Sequence, residues 1–117
     1  MTNHKSLIVW QKSMEFVTAI YVVTKTFPKE EFFGIVSQMR RAAISIPSNI
    51  AEGYGRVYDK ETSKFLSIAL GSASEIETQL IISKNLDYID VQEAQKLIEQ
   101  IEEIIRMLTA LIKSRSI

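Results

Sequence analysis

Apolar positions in this chain recur at spacings of three and four, and no stretch alternates as a half-buried strand does. Trp10, Met14, Val17 and Tyr21 form one stripe, with Phe16, Ile20, Val23 and Phe27 in a second beside it. Together they predict a helix over residues 7–26 whose apolar face is wider than one partner helix requires. Pro28 stops it by disfavouring helical geometry at Phe27. Residues 29–33 then read as a linker and Gly34 as a breaker. A second helix spans 34–57, where Val36, Met39, Ala43, Ile46, Ile50 and Val57 keep their phase across Pro47. That continuity predicts one helix kinked at Pro47, although the proline leaves the Ala43 carbonyl without its donor at a cost of roughly 3 kcal/mol. The competing reading has Asn49 capping a fresh helix, with Glu52 closing a capping box.

Gly53 and Gly55 end the second helix, and Asp59 is placed to cap a third over 60–84. Its stripe is Leu66, Ala69, Ala73, Ile76 and Leu80, with Gly71, Ser72 and Ser74 small enough to permit close helix approach. Asp90 and Glu93 make a capping box for a fourth helix over 91–113. There Val91, Ala94, Ile98, Ile101, Ile105, Leu108 and Ile112 hold a clean heptad, widened by Leu97, Ile104 and Leu111. Short connections between four amphipathic helices predict an all-α fold, an antiparallel up-down-up-down four-helix bundle, as a single domain over 1–117.

Composition narrows the function more than it names it. Of 117 residues, 46% are apolar, enough for a packed core. Acids and bases balance at 14 each, so the basic excess of a dedicated nucleic-acid binder is missing and any such role rests on a local patch. Cysteine is absent, which excludes disulfides and thiolate chemistry and fits a reducing, cytoplasmic setting. No apolar run approaches a membrane span, and the polar lead of Asn3, His4 and Lys5 does not resemble a signal peptide.

The residues that a plain core helix does not need lie on helix two. At 100° per residue Gln38, Arg41, Ser45, Asn49, Glu52 and Arg56 share one polar stripe, with Arg40, Ile44, Pro47 and Ala51 on the other flank. The stripe reads in three ways. It is a solvated face with Glu52 paired to Arg56, or a polar network against helix three (through Glu75 or Glu77) or another subunit, or a phosphate site. Arg40, Arg41 and Arg56, with Lys64 as a weaker addition, are the candidate phosphate contacts. Catalytic constellations are wanting. The single histidine, His4, can supply neither a Glu-x-x-His di-metal site nor a base for Ser45 or Ser48, and the GYG glycines follow no strand. No enzyme activity, metal or cofactor is therefore expected. Trp10 and Met14 read as core rather than as a base-stacking surface. The four wide faces exceed what one small bundle hides, so a homo-oligomer is expected, with Leu97, Ile104 and Leu111 either internal or facing another copy.

The segments LIVWQKSMEFV at 7–17, FPKEEFFGIVSQMRRAAISIPSNIAEGYGR at 27–56 and FLSIALGSASEIETQL at 65–80 resemble the 23S rRNA intervening-sequence protein family. The resemblance implies a bacterial antiparallel four-helix bundle that assembles as a ring-like homopentamer. Some members are encoded inside insertions of ribosomal RNA genes. The similar accessory proteins of diversity-generating retroelements bind nucleic acid and a reverse transcriptase. By position the resemblance carries over Gln38, Arg40, Arg41, Ser48, Asn49, Glu52, Gly53 and Arg56, first as structural or interface positions; no catalytic residue comes with them. The expected function is a non-catalytic homo-oligomeric scaffold that associates with RNA, DNA or a nucleic-acid-processing protein such as a reverse transcriptase. A protein-only assembly module is the alternative.

Overall fold

The structure, a computed structural model, describes residues 3–115; positions 1, 2, 116 and 117 of the expected domain lie outside it. Four helices, α1 (Ile8–Thr24), α2 (Ser37–Tyr54), α3 (Asp59–Asn85) and α4 (Val91–Ser114), make up most of it. Each packs against the next, and α1 closes the ring against α4, so the α1–α2 and α3–α4 sides are opposite sides of the bundle. The α1–α4 seam is the thinnest. One core fills the centre, with Phe16, Ile20, Met39, Ile46, Leu66, Leu80 and Ile101 fully enclosed.

Helix α2 runs unbroken through a buried Pro47. Asn49 starts no new helix. Its side-chain amide donates to the Ser45 carbonyl at 2.8 Å and to the Ser45 hydroxyl at 2.9 Å, lacing the turn before the proline to the turn after it. The helix begins later than Gly34, because residues Phe32–Val36 form a π-turn in which Gly34 leaves helical geometry at φ −102°, ψ −117°. It also ends earlier, at Tyr54, where the Gly55 amide closes on the Ala51 carbonyl. Val57 is consequently 87% exposed and no part of the core stripe.

Asp59 is not the cap of α3. The chain is extended at Tyr58, and Asp59 is the first helical residue, its carboxylate accepting from Arg115 Nη1 at 2.7 Å. Thr62 links the two elements instead, donating to the Gly53 carbonyl at 2.8 Å. At α4 the expected cap is present, the Glu93 amide donating to Asp90 Oδ1 at 2.9 Å, whereas Val91 at the head of the heptad is exposed. Leu97 and Ile104 are internal, whereas Leu111 is half-buried at the edge of a hollow beside Leu7 and Val9. Helix α3 is long and apolar enough to cross a membrane, but its Leu66–Leu80 stripe packs on α2 and α4 as a core helix does.

Close helix approach comes from Gly53 rather than Gly71. A Cβ on Gly53 would stand 3.0 Å from Phe65 Cβ and 3.1 Å from the Thr62 carbonyl oxygen, whereas one on Gly71 would meet nothing within 4 Å. Gly53→Ala should therefore push α2 and α3 apart and destabilise the fold by about 1–3 kcal/mol. Gly71→Ala should stabilise it by up to about 1 kcal/mol through helix propensity alone. Urea denaturation of the two variants checks both signs.

Candidate interaction surface

Sequence-singled side chains on α2 divide among three environments. Arg40 is held on the α1 flank. Its Nε donates to Thr24 Oγ1 at 3.0 Å, its Nη2 reaches the Tyr21 carbonyl at 3.4 Å, and its guanidinium lies 4.5 Å over the Tyr21 ring. A cation there faces the negative end of the α1 dipole, which explains the docking electrostatically. Arg40 is thus committed within the chain.

The polar stripe is split. Ser72 of α3 donates to the Ser45 hydroxyl at 2.8 Å, so Ser45, Asn49 and Ser72 form a small network between α2 and α3. Neither Glu75 nor Glu77 joins it among the described contacts; Glu75 accepts from Gln79 one turn on. Glu52 and Arg56 make the exposed i,i+4 pair at 2.6 Å, with Arg56 stacked 4.8 Å over Phe65. Such a pair contributes a few tenths of a kcal/mol. Gln38, Arg41 and Lys64 are exposed, and Arg41 and Lys64 make no ion pair among the described residues. Arg41 and Arg56 are separated by about 22 Å of helical rise. The four candidate phosphate contacts are therefore not gathered into one site. Gly53 is the helix contact described above, Pro47 is buried, and Ser48 is exposed at a groove edge.

Beside Arg41 lies an apolar surface that spacing alone does not reveal. The π-turn throws Phe33 outward to 92% exposure with Phe32 at 50%, their rings edge to face at 5.0 Å. Two hollows of about 400 and 440 Å³ flank this pair, lined by Tyr21, Val36, Arg40 and Ile44 and by Phe27 and Pro28. Through Ile44 they run into a groove of about 350 Å³ between α1 and α2, where Trp10, Met14, Val17, Pro47 and Ser48 meet. Met14 is 44% exposed rather than core as expected, while Trp10 and Val17 are half-buried against the core, so the first stripe of α1 is both core edge and corridor wall. The corner is braced from below. Tyr88 donates to Glu31 Oε2 at 2.7 Å and its ring meets Phe27 at 5.5 Å, while a Cβ on Gly34 would strike Glu31 Oε1 at 2.7 Å. That carboxylate acceptor, followed by partial burial, raises the Tyr88 phenol above its ordinary pKa.

On the other side of the bundle Glu77 and Glu102 face each other across the α3–α4 seam. Partial burial first, then a hydrogen bond shared with Glu102 and that carboxylate's charge, push the Glu77 pKa above its ordinary 4.5. No group of three metal-ligating side chains occurs among the described residues.

The model of one protein family, the 23S rRNA-intervening sequence proteins, matches residues 5–110. The chain belongs to that family. A crystal structure of a family member of unknown function, an S23 ribosomal protein family protein from Bacteroides thetaiotaomicron VPI-5482, is similar throughout. Identity is 28%, the TM-score is 0.85, and the match covers 91% of this chain and 99% of that one. The chain has no match among curated proteins. The family is one of small helical proteins.

Because the folded chain favours protonated Glu77, its contribution to stability is complete below pH 4.5 and is lost as pH rises through the raised value. In the dissociated single chain, at submicromolar concentration, Glu77→Gln should raise the melting temperature by a degree or two at pH 7 and leave it unchanged at pH 3.5, read by circular dichroism.

Proposed function

We propose that this protein is a non-catalytic, cytoplasmic, self-assembling helical scaffold, the ring of five copies implied by its family resemblance being its working form. One observation supports the reading above the others: a nearly fully exposed Phe33 stands at the end of an apolar corridor that includes Phe32, Met14 and Ile44. A lone bundle in water has no physical reason to hold two aromatic rings outward on a braced turn, and contiguous exposed apolar surface marks an interface. The hollows beside Phe33 are lined mainly by aromatic, aliphatic and basic side chains, with the Ser37 and Thr24 hydroxyls among them.

Association with RNA, DNA or a reverse-transcriptase-like protein is a second reading, supported by the unpaired charges of Arg41 and Lys64. Against it stand the balanced net charge and the commitment of Arg40 and Arg56 to other side chains.

Sedimentation velocity at about 10–50 μM tests the assembly. The wild type should sediment as an oligomer, and Phe33→Asp as a folded monomer with an unchanged helical circular-dichroism spectrum. A monomeric wild type overturns the proposal. Nucleic-acid association is tested by anisotropy of a labelled single-stranded oligonucleotide at about 50 mM salt, where Lys64→Ala should weaken binding and flatten its salt dependence. Undetectable wild-type binding removes that second reading.

A further inference from the structure

The two opposite sides of the bundle are unlike, and each exposes what the other lacks. On the α1–α2 side the three hollows are lined by four cationic side chains, Lys25, Lys29, Arg40 and Arg41, with His4 at the far end, and by no acid among the described residues. Of the two carboxylates on the turn, Glu31 is taken up by Tyr88 and Glu30 is exposed beside Lys29, outside the hollows' lining. Arg41 is exposed at the edge of the corridor and forms no ion pair among the described residues. On the α3–α4 side Glu77 and Glu102 are pressed against each other as like charges. Neither Arg106, one turn along α4, nor Lys84 on α3 pairs with them among the described residues. Ile81 of α3, one turn on from Glu77, is 41% exposed beside them. The basic side is aromatic and the acidic side aliphatic, and both carry unneutralised charge beside uncovered apolar area.

We propose that the α1–α2 side of one copy docks on the α3–α4 side of the next, with Arg41 set against the Glu77–Glu102 carboxylate pair. This rests on the self-assembly reading and gives it a geometry. Charge complementarity selects a second copy as occupant, because the surface that answers the basic corridor is on the same chain. A guanidinium fork spans two carboxylates, which a lysine does not do equally well. Size agrees. The long side of the bundle, 44 by 23 Å, accommodates the roughly 800 Å² per partner that a stable interface buries. Because two different sides meet, the contact is heterologous: it leaves one free side of each kind at the ends of any open chain, and a closed ring leaves none.

A charge exchange followed by sedimentation velocity tests the pairing, with circular dichroism confirming the fold. Arg41→Glu should raise the dissociation constant of the assembly by about tenfold or more, and Glu102→Arg should do the same. Placing both changes in one chain should recover most of the loss, since each side then meets its opposite on the next copy. Full assembly by Arg41→Glu, or loss without recovery in the exchanged chain, overturns this pairing; self-assembly then still stands if Phe33→Asp dissociates the wild-type oligomer. A wild-type monomer overturns both. Loss of oligonucleotide binding by Arg41→Glu with the oligomer intact also overturns the pairing and assigns the corridor to nucleic acid.

Discussion

A square of four helices has one central column of space, and each helix can fill it with one stripe. That constraint decides the rest of this structure. Helix α4 turns Ala94, Leu97, Ile98, Ile101, Ile104 and Leu108 inward, and α3 supplies a stripe of large and small residues against them. Phe16 and Ile20 of α1 take what remains. The first stripe of α1, with Trp10, Met14 and Tyr21, has little central space left to occupy. It stays at the α1–α2 side, where it walls the corridor that ends at Phe33.

Two polar devices hold the ends of the square and so preserve that division. At one end Arg115 reaches from the close of α4 to Asp59 at the start of α3 and stacks 4.9 Å over Tyr54. At the other, Tyr88 of the α3–α4 connection holds Glu31 of the α1–α2 connection. Between them Gly53 lets α2 and α3 approach to contact distance. Each device links residues distant in sequence, and each keeps the outward side of α2 in a fixed relation to the π-turn that displays Phe32 and Phe33. The functional reading depends on that relation. A corridor of fixed shape with one uncommitted arginine at its edge suits recognition by another folded surface, for which little ordering entropy remains to be lost.

Much of the fold was legible in the order of the residues. The three-and-four spacing located all four helices to within a few positions, Asp90 announced its own cap, and the unbroken phase across Pro47 distinguished one helix from two. Each of these depends on neighbours in sequence. Where the reading failed, a distant partner had intervened. Asp59 was an obvious cap by type, but Arg115 draws its carboxylate away from the helix start. Val57 kept the apolar phase yet lies past a helix that the Gly55 closure had already ended. Arg40, Arg41 and Arg56 looked like one basic group, whereas α1, solvent and Glu52 each claim one of them.

Local pattern by itself determined that this chain is four amphipathic helices with an apolar excess, because helical periodicity and capping are written in residues only a few places apart. Which part of the excess is buried, which arginine is left without a partner, and which aromatic pair faces water were decided only by the tertiary structure. Those outcomes follow from competition among helices for one shared interior. Such a competition is settled between residues tens of positions apart, by distances and angles that no window along the chain contains.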